Sequence, residues 1–214
     1  MRSSSSAGRR ARASRPAKGR RQKPRTQRRD KGKLIVVSAP SGAGKTTIAR
    51  EILQRNPSVE FSVSATTRPR RTAEVDGRDY FFLSPEEFQR RVDAGDFVEH
   101  EDLFGNRYGT LKSEIERALR QGRHVLFDVD VKGALSIKRR YPGALLIFIR
   151  PPSMEVLRDR LRNRKTEDEA VMARRLERAA MEMGKAGEFD EQVVNDDLAR
   201  AVDEVQTLVR NFIS

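Results

Sequence analysis

The passage that most constrains this chain lies near its start. Residues 33–39 (KLIVVSA) lead directly into Ala39, Pro40, Ser41, Gly42, Ala43, Gly44, Lys45, Thr46 and Thr47. The first part is apolar and β-branched, which predicts a buried strand. Residues 46–55 then carry their apolar positions at helical spacing. Strand, glycine turn and helix in this order make a phosphate-binding loop, with Ala39 where the pattern begins with glycine. Gly42 and Gly44 let the backbone wrap closely around a phosphate with its amides pointing inward. The N-terminus of the following helix adds a favourable field. Lys45 can reach β- and γ-phosphates, and the Thr46 hydroxyl can ligate Mg²⁺.

The remaining pattern supplies the sheet such a loop requires. Residues 59–65 (VEFSVSA), 124–129 (HVLFDV), 144–149 (ALLIFI) and 191–195 (EQVVN) read as strands. Helical stretches are expected from Ser84 onward and at 111–121, 131–140, 153–164, 167–183 and 198–212. The segment Ser84-Pro85-Glu86-Glu87 reads as a helix start, with Ser84 as N-cap and Glu87 closing a capping box. Near-continuous apolar strands alternating with helices predict an α/β fold with a parallel sheet flanked by helices on both faces.

Acids at the end of residues 124–129 complete a phosphate site. A carboxylate directly after buried strand residues needs a cation or donors opposite it, which singles out Asp128. Asp130, two residues on, shares its side if the strand continues. Between 62 and 110 a polar set stands among short aromatic strands: Ser64, Arg68, Arg71, Tyr80, Glu99, Tyr108 and Thr110. Arg68 and Arg71 read either as a clamp on a phosphate monoester or as a solvated surface. Tyr80 and Tyr108 bring hydroxyl donors on stiff stems. Ionised Glu99 and Asp130 only accept hydrogen bonds. That suits the N1–H and 2-amino donors of guanine and repels the N1 acceptor of adenine. His100 and His124 have no cysteine or second histidine at ligand spacing, so a metal site at either is not expected.

Charge separates the chain into two parts. It has 214 residues, 44 Lys+Arg, 31 Asp+Glu and a net charge of +13. Residues 1–33 hold fourteen of the bases and one acid, Asp30, so the body is neutral. Residues 1–32 contain no Leu, Ile, Val, Phe, Tyr or Trp and are read as a disordered basic tail. Three roles stay open for it: a solvated extension, a weak electrostatic contact with nucleic acid or an anionic surface, or a transit peptide. The absence of an apolar helical face speaks against the third. There is no cysteine, which excludes disulfides, thiolate zinc sites and a cysteine nucleophile. That composition suits a reducing cytoplasm. No apolar run approaches the roughly 20 residues of a membrane span, and none resembles a signal-peptide core.

Several segments in order carry a resemblance: SAPSGAGKTT (38–47), SATTRPRRTAEVDGRDYFF (64–82), FVEHEDLFGNRYGT (97–110), LFDVDVKGA (126–134), FIRPPS (148–153) and VNDD (194–197). On these the body, 34–214, resembles the guanylate kinases, nucleoside monophosphate kinases of the P-loop class. The resemblance implies an Mg²⁺-dependent transfer of the γ-phosphoryl group of ATP to GMP, and to dGMP, giving ADP and GDP for GTP supply and GMP recycling. It implies a core at 33–61, 111–156 and 169–214, a small mixed β/α GMP-binding insertion at 62–110, and a helical lid at 157–168. It places Ser64, Glu99, Thr110 and Asp130 at guanine, and Arg68, Arg71, Tyr80 and Tyr108 at the GMP phosphate. It sets the loop 39–47 at the ATP phosphates, Asn195 near adenine, and Thr46 and Asp128 at Mg²⁺, partly through water. Arg160, Arg164 and Arg175 become the arginines that join Lys45 on the transferred phosphate. The lid departs from the family's Gly-Arg-Gly-Thr, reading Asn163-Arg164-Lys165-Thr166, which should stiffen it. A monomer or small homo-oligomer in the cytoplasm is expected. Against this stand a non-catalytic binding module, which would typically lack Lys45, and a related kinase acting on a ribosyl phosphate, which the guanine-reading set disfavours.

Overall fold

The structure, a computed structural model, describes residues 32–103, 105–162 and 169–214. Its elements run β1 (Leu34–Ser38), α1 (Lys45–Arg55), β2 (Val59–Phe61), β3 (Ala65–Thr66), β4 (Phe81–Phe82), α2 (Pro85–Asp93), β5 (Phe97–Leu103) and β6 (Asn106–Leu111). They continue with α3 (Lys112–Arg120), β7 (His124–Asp128), α4 (Val131–Arg140), β8 (Leu145–Arg150), α5 (Met154–Arg162), α6 (Glu169–Gly184), β9 (Glu191–Val194) and α7 (Leu198–Ile213).

The first strand is the centre of a five-stranded sheet ordered β2-β7-β1-β8-β9. Every pairing in it is parallel. The all-apolar run of β1 follows from that position, because helices cover both faces. Ile35 and Val37 point into one core with Ile48 and Ile52 of α1 and Val202, Val205 and Val209 of α7. Leu34 and Val36 point into the other with Ile115 of α3 and Ile137 of α4. Each such buried side chain stabilises by about 2 kcal/mol. A register slip of one residue would exchange the two sets, so the pairing is strongly specified.

A second sheet, ordered β4-β3-β6-β5, lies between residues 65 and 111. It is mixed: β3 pairs parallel with β4 and antiparallel with β6, and β5 pairs antiparallel with β6. Phe88 of α2 stacks on Phe97 at 4.5 Å and fills a small core with Ala65 and Leu111. The Ser84 hydroxyl accepts from the Glu87 amide at 3.1 Å, as expected of the N-cap. The Glu87 carboxylate instead takes Arg91 at 2.7 Å.

One expected strand is in fact two. Residues 59–65 leave the first sheet after Phe61, where the Ser62 amide still donates to Leu126 at 2.9 Å. The chain then crosses to the second sheet, where the Ser64 carbonyl accepts from Phe81 at 2.9 Å. Short alternation cannot show such a change of partner, since both halves have a period of two. The expected lid residues 163–168, with Arg164, lie outside the described residues, as does the basic tail through residue 31.

Candidate active site

The cleft between the two sheets opens at the C-terminal end of β1, the usual position for a ligand in an open α/β sheet. Gly42 and Gly44 take φ values of 91° and 96°, a region that side chains disfavour. Gly44 ends the loop as the N-cap of α1 without a side-chain cap. The first-turn amides of α1 therefore have no intrahelical partner. Lys45 pairs its ammonium with the Asp128 carboxylate and donates to the Val129 carbonyl at 3.0 Å. The Thr46 hydroxyl donates to Asp128 Oδ2 at 2.9 Å. Lys45, Thr46 and Asp128 thus meet at one point, although 82 residues separate Thr46 from Asp128.

The cleft measures about 540 Å³, and Ala39, Pro40, Ser41, Gly42, Gly44 and Thr47 form its loop side. Across from them stand Ser64, Tyr80, Glu99, Tyr108 and Asp130, with Arg175 of α6. The rings of Tyr80 and Tyr108 meet edge to face at 6.2 Å. Burial pushes the Tyr80 hydroxyl up, so it remains a donor at neutral pH. The Arg68 guanidinium lies 5.3 Å from the centre of the Tyr80 ring. It pairs with Glu74 at 2.7 Å, and the other Glu74 oxygen accepts from the Arg71 amide at 2.8 Å. One carboxylate therefore shapes the turn that carries both arginines; the Arg71 side chain is exposed, and neither arginine is among the residues lining the cleft. The Arg68 side chain and the Arg71 amide hold Glu74 below the usual carboxylate range.

Glu99 is built into β5 opposite Thr110 of β6. The buried Thr110 hydroxyl donates to Glu99 Oε1 at 2.6 Å. Burial pushes the Glu99 carboxyl up and the Thr110 bond opposes that. Gly133, in the segment LFDVDVKGA, has a steric reason. A Cβ there would stand 3.3 Å from both Glu99 Oε2 and Asp130 Oδ1. Glycine at the start of α4 thus lets two carboxylates from different elements approach one spot.

Other placements also differ from the sequence expectation. Asp130 does not extend the strand: β7 stops at Asp128, and Asp130 caps α4, accepting from the Gly133 amide at 2.8 Å. An N-cap aspartate satisfies an orphan helix amide, and that local bond ends the strand here. Asn195, expected near adenine, is 5% exposed and donates to the Ala43 carbonyl at 2.7 Å. Arg160 donates to the Asn195 carbonyl at 2.9 Å. Both therefore stand behind the phosphate loop, and neither lines the cleft. Four lining or shaping residues were not singled out by sequence reasoning: Glu74, Glu101, Arg178 and Glu182. Glu101 was within reach, since it sits two residues from Glu99 and shares its face of a strand. Arg178 and Glu182 follow Arg175 at helical spacing, but a charged helix face carries no such sign by itself. Among the described residues no helix is long and apolar enough to cross a membrane.

Comparison with known proteins agrees with this geometry. The family model described as guanylate kinase matches residues 31–212. The guanylate kinase of Chlorobium luteolum is 53% identical over 184 residues, covering 86% of this chain and 93% of that protein. That of Chlorobaculum tepidum is 54% identical over 185 residues, covering 86% and 95%. Among solved structures, the crystal structure of guanylate kinase from Anaplasma phagocytophilum superposes with a TM-score of 0.67 at 32% identity, covering 85% of this chain and 86% of that one. On the family match over nearly the whole folded body, this chain belongs to the guanylate kinase family.

Proposed function

We propose that the cleft transfers the γ-phosphoryl group of ATP to GMP, with the loop 39–47 seating ATP and the second sheet seating GMP. Membership of the family makes the chain an ATP:GMP phosphotransferase. The observation that supports the residue assignment is that the phosphate loop and Ser64, Tyr80, Glu99, Tyr108 and Asp130 line one cleft, so a donor and an acceptor phosphate can meet in it. Glu99, with Asp130, accepts from the N1–H and 2-amino donors of guanine, and Ser64 and Thr110 support that edge. Tyr80, Tyr108 and Arg68 hold the GMP phosphate, with Arg71 closing over it from the turn that Glu74 shapes. dGMP fits the same description, because no residue of the set addresses the 2′ position.

Transfer between two phosphates is chiefly a matter of positioning and charge neutralisation. The attacking GMP oxygen is already anionic near neutral pH and needs no strong base. Lys45 and Arg175 neutralise the charge that develops between the two nucleotides. Thr46 and Asp128 offer hard oxygen ligands at 2.9 Å from one another. Such a pair suits Mg²⁺, which takes one or two protein oxygens and keeps water and phosphate oxygens for the rest. When bound, the ion polarises the phosphoryl group and screens its charge. The Lys45–Asp128 pair sets both charged groups at the phosphate loop.

Asn195 and Arg160 act behind the loop in this reading. Asn195→Ala would leave the Ala43 carbonyl without its buried partner, at a cost of roughly 1–3 kcal/mol. We expect the melting temperature to fall by a few degrees and KM for ATP to rise more than KM for GMP. A variant with unchanged melting and unchanged ATP affinity would remove Asn195 from this role.

The whole assignment is tested by ADP release from Mg-ATP with GMP, dGMP, AMP, CMP and UMP as acceptors. Turnover with GMP and dGMP at least a thousandfold above AMP is expected, since unpaired buried polar groups discriminate by about 10⁴. Equal use of AMP would overturn the guanine assignment. The basic segment, with fourteen Lys/Arg in residues 1–33, supports a weak contact with nucleic acid or an anionic surface, apart from the chemistry. Removing residues 1–30 should leave turnover intact and abolish salt-sensitive RNA retention. RNA retention that survives the deletion would place that contact elsewhere. The lack of cysteine supports work in the reducing cytoplasm.

A further inference from the structure

One cation of α6 reaches into a group of acids beside the guanine-facing side of the cleft. Arg178 Nη2 lies 2.9 Å from Asp130 Oδ2 and 3.8 Å from Glu101 Oε2. Its Nε donates to Glu182 Oε1 at 3.0 Å, one helical turn further along α6. Three elements distant in sequence are tied by this one side chain: the cap of α4, strand β5 and helix α6. Asp130 therefore has both oxygens directed, Oδ1 toward the Gly133 amide and Oδ2 toward Arg178. Glu101 feels the crowding most: burial and the nearby Asp130 carboxylate push it up to about 7. Burial also pushes Glu99 and Glu182 up. Glu99, Glu101, Asp130, Arg178 and Glu182 all line the cleft, with Lys45, Asp128 and Arg175 as its other charged groups.

We propose that Arg178 is a positioning residue for acceptor recognition, holding the Asp130 carboxylate in place and offsetting Glu101 so that Asp130 and Glu99 present their oxygens to the guanine edge. The inference rests on the reading that Glu99 and Asp130 meet guanine. Without Arg178, the cap bond alone orients Asp130, and a single bond leaves the carboxylate free to rotate about it. Glu101, raised by burial and by Asp130 and no longer opposed by the arginine, would then keep its proton and donate it to Asp130, competing with the base for an oxygen that must meet it. The 2-amino group is the donor that depends most on such convergence, because the N1–H alone can be met by one carboxylate. Arg178 is 43% exposed at its side chain, so solvent screens part of the interaction and the expected effect is moderate.

The test compares Arg178→Ala, Arg178→Lys and Arg178→Ala with Glu101→Ala, using GMP and IMP as acceptors. IMP keeps N1–H and lacks the 2-amino group. For Arg178→Ala we expect KM for GMP to rise about tenfold, KM for ATP to stay within about twofold, and the preference for GMP over IMP to shrink by a similar factor. Arg178→Lys should recover part of the loss, since it restores the charge without the fork of donors. Adding Glu101→Ala should recover more, because it removes the side chain that competes for Asp130. The inference is overturned if both KM values rise together, if the preference for GMP over IMP is unchanged, or if Glu101→Ala restores nothing. Glu99→Gln measured alongside separates the two levels. Should that variant alone raise KM for GMP, only the role of Arg178 falls. Should neither variant move it, the guanine reading falls and takes this inference with it.

Discussion

Replacing Lys45 with methionine is expected to lower kcat by about three orders of magnitude while the protein stays folded. Methionine keeps the length of the stem and removes the ammonium. That ammonium reaches Asp128 and the Val129 carbonyl from the glycine loop, and no other loop residue carries a positive charge. Loss of one preorganised group facing the developing charge costs a factor of about 10²–10³ in related chemistry. The phosphate-loop lysine is also the point charge nearest the transferred group, so the upper end applies. Stability should change little. Asp128 keeps its bond from Thr46, and the cleft admits water to the freed oxygen. The check is ADP release with both substrates saturating, beside a thermal melt. A kcat within tenfold of the parent, with the melt unchanged, would show that the loop does not seat the transferred phosphate.

The second large effect is expected from Glu99→Gln, which should raise KM for GMP about a hundredfold and leave KM for ATP nearly constant. Thr110 already donates to Glu99 Oε1 at 2.6 Å. A glutamine would turn its oxygen to Thr110 and leave its NH₂ facing the cleft. Donor would then meet donor at the guanine edge. A hydrogen bond to a charged acceptor is worth about 1.5–3 kcal/mol, and the unpaired donors add to that loss. In the proposed arrangement ATP lies against the loop of residues 39–47, which forms the other side of the cleft. The KM values for the two substrates, measured on one preparation, decide the matter. A parallel rise in both would mean that Glu99 supports the fold of β5 and β6 and does not read the base.

The two experiments probe halves of the site that differ in how far the sequence reveals them. The loop half is local. Its strand, glycines, Lys45 and Thr46 are contiguous, and each imposes its own geometry wherever the chain folds. The two positive φ values fall on the two glycines that the pattern requires. Its partner Asp128 was also legible, because an acid that ends an apolar strand must find a cation or donors. The acceptor half is assembled from a hairpin, a helix cap and a second helix. Its residue types suggested guanine, while the elements that join them did not show in the pattern. The two directions of pairing in the small sheet and the division of residues 59–65 between two sheets depend on which strand lies alongside.

The sequence by itself determined the phosphate loop, the parallel sheet behind it and the separation of a basic segment from a neutral body. All of these follow from periodicity, composition or the conformational limits of single residues, which act over a few positions of chain. The tertiary structure alone decided that Asp130 is a helix cap, that Asn195 backs the loop, and that Arg178 joins α6 to β5 and α4. Each depends on a contact between residues far apart in sequence: 152 positions for Asn195 with Ala43, and 48 for Arg178 with Asp130. A polar side chain has several partners of equal chemical merit. Which one it meets is fixed only when the apolar faces of the sheet and helices have packed and brought one of them within about 3 Å.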